Sequence, residues 1–150
     1  YFAYGANLWN RGMLTRCPQA RPYLPATLPA HRLQFQGYAT IVADPSASVR
    51  GALYRVTPAC LRALDQYEDV PRLYVRRNLT VETAEGPQDC VTYVMAARSP
   101  NAPAVAAAPE AAYYGEIARG YDDWKLDQTL LRKARAGEAR RRDASSGGHG

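Results

Sequence analysis

Between Ala20 and about Val56, three segments of β character, HRLQF, ATIVA and GALYRV, follow one another with only Pro25, Pro29, Gly37 and a turn-forming DPSAS to separate them. Strands this close in sequence pair antiparallel, because a parallel neighbour needs a crossover of roughly a dozen residues or more. Helical patterns fall on either side. YFAY opens the chain as a short buried strand and runs into Gly5-Ala6-Asn7, then into a helix carrying Leu8, Trp9, Met13 and Leu14. Thr57-Pro58 supplies an N-cap and a proline at the first helical position, opening a helix that ends at about Tyr67 or Glu68. A hairpin follows, LYVRRNLTV against CVTYVM, around a turn at Glu85-Gly86-Pro87. ARSPNAPAVAAAPEAA, residues 97–112, reads as an extended surface loop. Beyond it come a helix through Tyr113, Tyr114 and Ile117 that stops at Gly120, and a second through Leu126, Leu130 and Leu131. Strands gathered in the middle with helices segregated around them predict an α+β fold, a small mixed or antiparallel β-barrel with flanking helices. The expected domain covers residues 1–136, and the remainder, GEARRRDASSGGHG, is expected to be disordered.

A chain of 150 residues has room for one core. Its +5 balance invites a polyanion, but from Arg132 onward six basic residues face only Glu138 and Asp143, so the tail holds +4 and the body +1. No nucleic-acid partner is expected, and the Arg-rich, Ala- and Pro-rich composition suggests a GC-rich bacterial coding sequence. No run approaches the roughly 20 apolar residues of a membrane span, and no secretion signal opens the chain, so the expectation is a cytoplasmic protein without a membrane partner. Cys17, Cys60 and Cys90 form no CxxC pair and the only histidines are His31 and His149. That argues against a disulfide scaffold, a metal site and a His-based triad, and no cofactor is expected.

Two features can carry chemistry. In Tyr4-Gly5-Ala6-Asn7 a glycine between a strand and a helix start aims backbone amides outward, which suits a carboxylate or phosphate; the same residues also read as an ordinary connection with Asn7 as N-cap. Glu68 is the second. At about 100° per residue, with Leu61 at zero, Leu64 falls near 300° and Glu68 near 340°, whereas Asp65 lies near 40° and Asp69 near 80°. A carboxyl on an apolar stripe at a helix C-terminus has its ionised form disfavoured, which is how a general base is tuned. The alternative is a helix already ended, with the side chain turned into solvent. The serines lack a GxSxG context, and Cys17, beside Pro18, has no histidine near it in sequence.

Together these stretches resemble the γ-glutamylcyclotransferase family over most of residues 1–120. YFAYGANL resembles its N-terminal YFAYGSNL-type motif, GYATIVADPSASVRGALYRV its central strand pair, and LDQYEDV followed by Tyr74 the segment bearing its catalytic glutamate. The resemblance implies release of 5-oxoproline from a small γ-glutamyl compound. It places the acid/base carboxyl on Glu68 and substrate binding on Tyr1, Phe2, Ala3, Tyr4, Gly5, Ala6, Asn7 and Tyr114, with Tyr113 one place away. Ala6 stands where serine is common, and YDDWKLD replaces the Gly-Ala-rich continuation of glutathione-cycle members, a departure that bears on the acceptor side of the pocket. The substrate's own α-amine serves as nucleophile, so no protein nucleophile, metal or histidine is called for. Two rivals share this core: a cyclotransferase acting on γ-glutamyl amines or removing a biosynthetic γ-glutamyl group, and a non-catalytic γ-glutamyl-binding module. The oligomeric state is not legible.

Overall fold

The computed structural model describes residues 1–97 and 108–146, with side chains as far as residue 137. Its elements are β1 (Phe2–Ala3), a 3-10 turn (Ala6–Leu8), α1 (Asn10–Arg16), β2 (Arg21–Gln36), β3 (Tyr38–Arg55), α2 (Pro58–Tyr67), β4 (Tyr74–Thr83), β5 (Gly86–Met95), α3 (Ala111–Asp123) and α4 (Thr129–Ser146). The five strands form one sheet in the order β1-β3-β2-β4-β5, with every pairing antiparallel. The α+β class and the antiparallel pairing stand as expected. The barrel does not close: β1 and β5 are the two ends of the sheet, and no ladder joins them. β1 is only two residues long, and side chains bridge the gap instead. Thr92 Oγ1 donates to the Phe2 carbonyl at 2.7 Å, the Tyr4 hydroxyl to the Tyr93 carbonyl, and Met95 N to Thr40 Oγ1 at 3.0 Å.

HRLQF extends backward through Pro29, Pro25 and Pro22 as β2, and ATIVA and GALYRV run together as β3, while Gly37 still divides the two strands; the prolines do not break β2. β4 meets β2 only at Thr27↔Glu82, so most of that edge of β2 is unpaired and tolerates residues without an N–H. The DPSAS turn survives as a bulge inside β3. There the pairing shifts between Pro29 and His31, and Asp44 Oδ1 accepts from Ser46 N at 3.0 Å and Ser46 Oγ at 2.8 Å.

Thr57 caps α2 as its sequence position predicts, its Oγ1 accepting from Cys60 N at 3.2 Å. Thr57→Ala should therefore lower stability by about 1 kcal/mol in denaturant unfolding; an unchanged midpoint would remove the cap from the account. Gly120 does not stop α3, which continues to Asp123. It lies where α3 crosses the 3-10 turn, and a Cβ there would come within 2.4 Å of Leu8 Cβ and 2.6 Å of Trp9 N. Leu126 falls in the link before α4, whose first amide, Thr129 N, donates to Asp127 Oδ1 at 2.7 Å. The tail expected to be disordered from Gly137 is helical to Ser146. Its alanines, arginines and Glu138 are strong helix formers, and that propensity carries the helix through a run rich in charge. Residues 147–150, like most of the Ala- and Pro-rich loop, lie outside the described residues. No helix of the described chain is long and apolar enough to cross a membrane.

Candidate active site

Where the end of β1, the hairpin between β2 and β3, the C-terminus of α2 and the first turn of α3 meet, they enclose a cavity of about 200 Å³. Its floor is Tyr4-Gly5-Ala6-Asn7, and Glu68, Ala39, Tyr74, Tyr93 and Tyr113 share its wall. The turn is held from behind. Trp124 Nε1 donates to the Leu8 carbonyl at 2.9 Å, Asp123 Oδ2 accepts from Asn10 N at 2.9 Å, and the Tyr54 hydroxyl donates to Asn10 Oδ1 at 2.7 Å. The amides opening the 3-10 turn have no carbonyl one turn earlier to bond, so they are free to meet an anionic group. Asn7 is no helix cap. Its Nδ2 donates to the Tyr1 hydroxyl at 3.0 Å and its Oδ1 accepts from Arg16 Nη1 at 2.8 Å.

Glu68 occupies the C-cap of α2, its backbone N–H bonded to the Leu64 carbonyl at 2.8 Å. Among the described residues its carboxyl has no hydrogen-bond or ion-pair partner. The neighbouring acids are engaged elsewhere: Asp65 takes two bonds from Arg76 and one from Tyr93, which holds it below the usual carboxylate range, and Asp69 pairs with Arg72. Burial pushes Glu68 up to about 7, with Arg16 pulling the other way. That cation also lies 4.0 Å over the Tyr67 ring, so a single guanidinium braces Asn7 on the floor and the residue preceding Glu68 on the wall.

The tyrosine hydroxyls around the cavity divide by role. Those of Tyr4, Tyr74 and Tyr93 donate to protein acceptors, the Tyr93 carbonyl, the Ala39 carbonyl and Asp65. Those of Tyr1 and Tyr113 accept, from Asn7 Nδ2 and from Ala39 N at 3.0 Å, and keep a proton to give. Burial raises the pKa of both, so they stay protonated.

The profile of the family described as gamma-glutamyl cyclotransferase, AIG2-like, matches residues 1–126. This chain belongs to that family. The gamma-glutamylcyclotransferase of Bos taurus is 34% identical over 109 residues, 63% of this chain and 58% of its own length. That of Homo sapiens is 32% identical with the same coverage. The chain thus spans less than two thirds of these curated relatives. A solved gamma-glutamyl cyclotransferase superposes with a TM-score of 0.76 at 27% identity, covering 91% of this chain and 85% of the other. YkqA from Bacillus subtilis, at 24% identity and a TM-score of 0.73, shares the fold; the match covers 93% of this chain and 53% of YkqA.

Within the γ-glutamyl cyclotransferase fold, the structure brings Tyr1, Tyr4, Gly5, Ala6, Asn7 and Glu68 together as the sequence proposed. Phe2 and Ala3 are buried in β1 and do not line the cavity. Tyr114 is a correction. Adjacent helical residues point about 100° apart, and its ring packs against Phe35 at 6.1 Å with the Arg135 guanidinium 4.2 Å over it, while Tyr113 takes the place in the wall. YDDWKLD contributes no cavity residue; through Asp123 and Trp124 it anchors the turn from the far side. Ala6 lacks the serine hydroxyl and keeps its backbone amide at the floor. Sequence reasoning missed Arg16, Tyr38, Ala39, Tyr67, Leu73, Tyr74 as a wall residue, and Tyr93, which arrive from five separate stretches and share no local motif.

Proposed function

We propose that the protein is a γ-glutamylcyclotransferase that releases 5-oxoproline and a free amine from a γ-glutamyl compound. The observation that supports this most is the Glu68 carboxyl, unpaired among the described residues and half-buried, facing the same small cavity as the turn amides, with an affinity for protons set near neutrality. The cavity, about 200 Å³, is below the roughly 300–1,000 Å³ of drug-sized sites and suits an amino-acid-sized head group.

The substrate's α-ammonium gives a proton to Glu68, and the freed amine attacks the γ-carbonyl carbon to close a five-membered ring. The nucleophile is tethered, so the high effective molarity of an intramolecular reaction is available without a protein nucleophile. The amides of Gly5, Ala6 and Asn7 hold the α-carboxylate so that the chain curls. The Tyr1 or Tyr113 hydroxyl donates to the developing oxyanion. As the tetrahedral intermediate collapses, Glu68 returns its proton to the leaving nitrogen, the C–N bond to it breaks, and the extra proton left on the ring nitrogen passes to the released amine, so that the neutral lactam of 5-oxoproline, an ammonium product and the original carboxylate remain.

Incubation with γ-glutamyl amino acids, glutathione and γ-glutamyl amines, with 5-oxoproline measured by chromatography, tests the reading; no 5-oxoproline from any of them ends it. The required state of Glu68 is the carboxylate, so kcat/KM should climb with pH through about 7 and level off above it. Arg16→Met removes the cation that favours the charged form and should carry that limb to higher pH. A profile flat from pH 5 to 8 would detach Glu68 from the proton transfer.

A further inference from the structure

A cavity sized for one amino-acid head group leaves the amine half of a γ-glutamyl compound to lie across its mouth, and that mouth is unlike the rest of the surface. Among the described residues four large hydrophobic side chains are exposed: Tyr38 at 52%, Tyr67 at 45%, Leu73 at 38% and Leu130 at 38%. The first three line this one pocket. They come from three separate places, the hairpin between β2 and β3, the last residue of α2 and the residue before β4. Two are braced in position. Tyr38 packs edge-on against Tyr113 with ring centroids 5.3 Å apart, and Tyr67 lies against the Arg16 guanidinium.

Exposed apolar side chains scattered singly need no explanation, whereas a cluster at one opening marks a contact site. The charge pattern points the same way. None of the described residues lining the pocket is cationic, and Arg16, beside it, is occupied by Asn7 and Tyr67. A leaving group bearing its own carboxylate would meet rings and an isobutyl group rather than a positive partner.

We propose that the amine half of the substrate is an apolar amine, aromatic or branched aliphatic and without a carboxylate, whose hydrocarbon part packs against Tyr38, Tyr67 and Leu73. This specificity rests on the γ-glutamyl reading of the site. It makes the three rim residues determinants of selectivity, while the floor and Glu68 handle the part common to every γ-glutamyl compound.

The test compares 5-oxoproline release by the full chain from γ-glutamyl benzylamide, γ-glutamylglycine and glutathione. The expected kcat/KM for the benzylamide exceeds that for γ-glutamylglycine by about 10-fold or more, the size of effect an apolar contact gives. Leu73→Ser should cut that ratio several-fold. Release from γ-glutamylglycine or glutathione equal to or faster than from the benzylamide overturns the proposal and leaves the cyclotransferase reading standing. A ratio unmoved by Leu73→Ser also overturns it, because the rim would then not be the docking surface. Absence of 5-oxoproline from all three removes the cyclotransferase reading, and the specificity with it.

Discussion

Replacing Glu68 by Gln is expected to lower kcat/KM for 5-oxoproline release by about 10²–10⁴-fold, the usual contribution of a positioned general acid/base, and at the same time to stabilise the protein above neutral pH. The two effects have one origin. In the folded chain burial raises the Glu68 pKa from its ordinary 4.5 to about 7. The native state therefore binds this proton more tightly than the unfolded chain does. Its contribution to stability is fully present below about pH 4.5, declines as pH rises, and is lost once pH passes about 7. A difference of that size corresponds to about 3 kcal/mol at full ionisation. Gln keeps the shape and never ionises, so at pH 8 the variant should unfold at a temperature higher by up to about 10 °C, with the difference vanishing near pH 4. Activity retained at wild-type level would remove Glu68 from the reaction. A wild-type stability curve flat between pH 4.5 and 8 would show that the carboxyl is not buried as described.

Gly120→Ala is expected to be strongly damaging to both stability and activity. The added carbon meets Leu8 Cβ at 2.4 Å, Leu8 C at 2.6 Å and Trp9 N at 2.6 Å, and two of these are backbone atoms that cannot swing aside. Relief requires α3 to lift off the 3-10 turn, and overpacking against backbone costs about 3 kcal/mol or more, roughly 6–12 °C in Tm for a chain of this size. The same displacement separates Tyr113, on α3, from the cavity floor, so activity should fall below what the lost stability accounts for. Gly115, five residues earlier on the same helix, is the control: nothing lies within 4 Å of a Cβ there, and Gly115→Ala should be neutral or stabilising by up to about 1 kcal/mol. Equal behaviour of the two variants would mean that helix propensity, not the contact with Leu8, governs position 120.

The contrast between Glu68 and Tyr113 shows what local sequence can reveal about this site. Glu68 was legible because a helical wheel over Leu61, Leu64 and Glu68 is a statement about one element, and Thr57-Pro58 fixed where that element begins. Its neighbours Asp65 and Asp69 were separable on the same wheel, and the structure gives each a basic partner. Tyr113 and Tyr114 differ only in which side of α3 they occupy, and that depends on how the helix sits on the turn at Leu8. Gly120 sets that seating, and in the sequence it looked like a helix stop. The long hairpin of β2 and β3 was hidden for a related reason. Prolines read as breaks unless the neighbouring edge is known to be unpaired, and that is a property of the whole sheet. Tyr38, Tyr74 and Tyr93 carry no local signal, since what unites them is convergence of distant strands on one cavity.

The seam between β1 and β5 has a bearing on how a ligand gains entry. The cavity is built beside the line where the sheet is joined by the side chains of Thr92, Tyr4 and Thr40 rather than by a ladder of backbone bonds. Tyr4, on the floor at one side of that line, and Tyr93, in the wall at the other, both line the cavity. Widening the site therefore breaks a few hydroxyl contacts and no strand pairing, so the vault can flex at its join while the masonry on either side stays intact. Amides bordering the seam should exchange with solvent faster than those along β2 and β3, and a bound head group bridging the two edges should slow them.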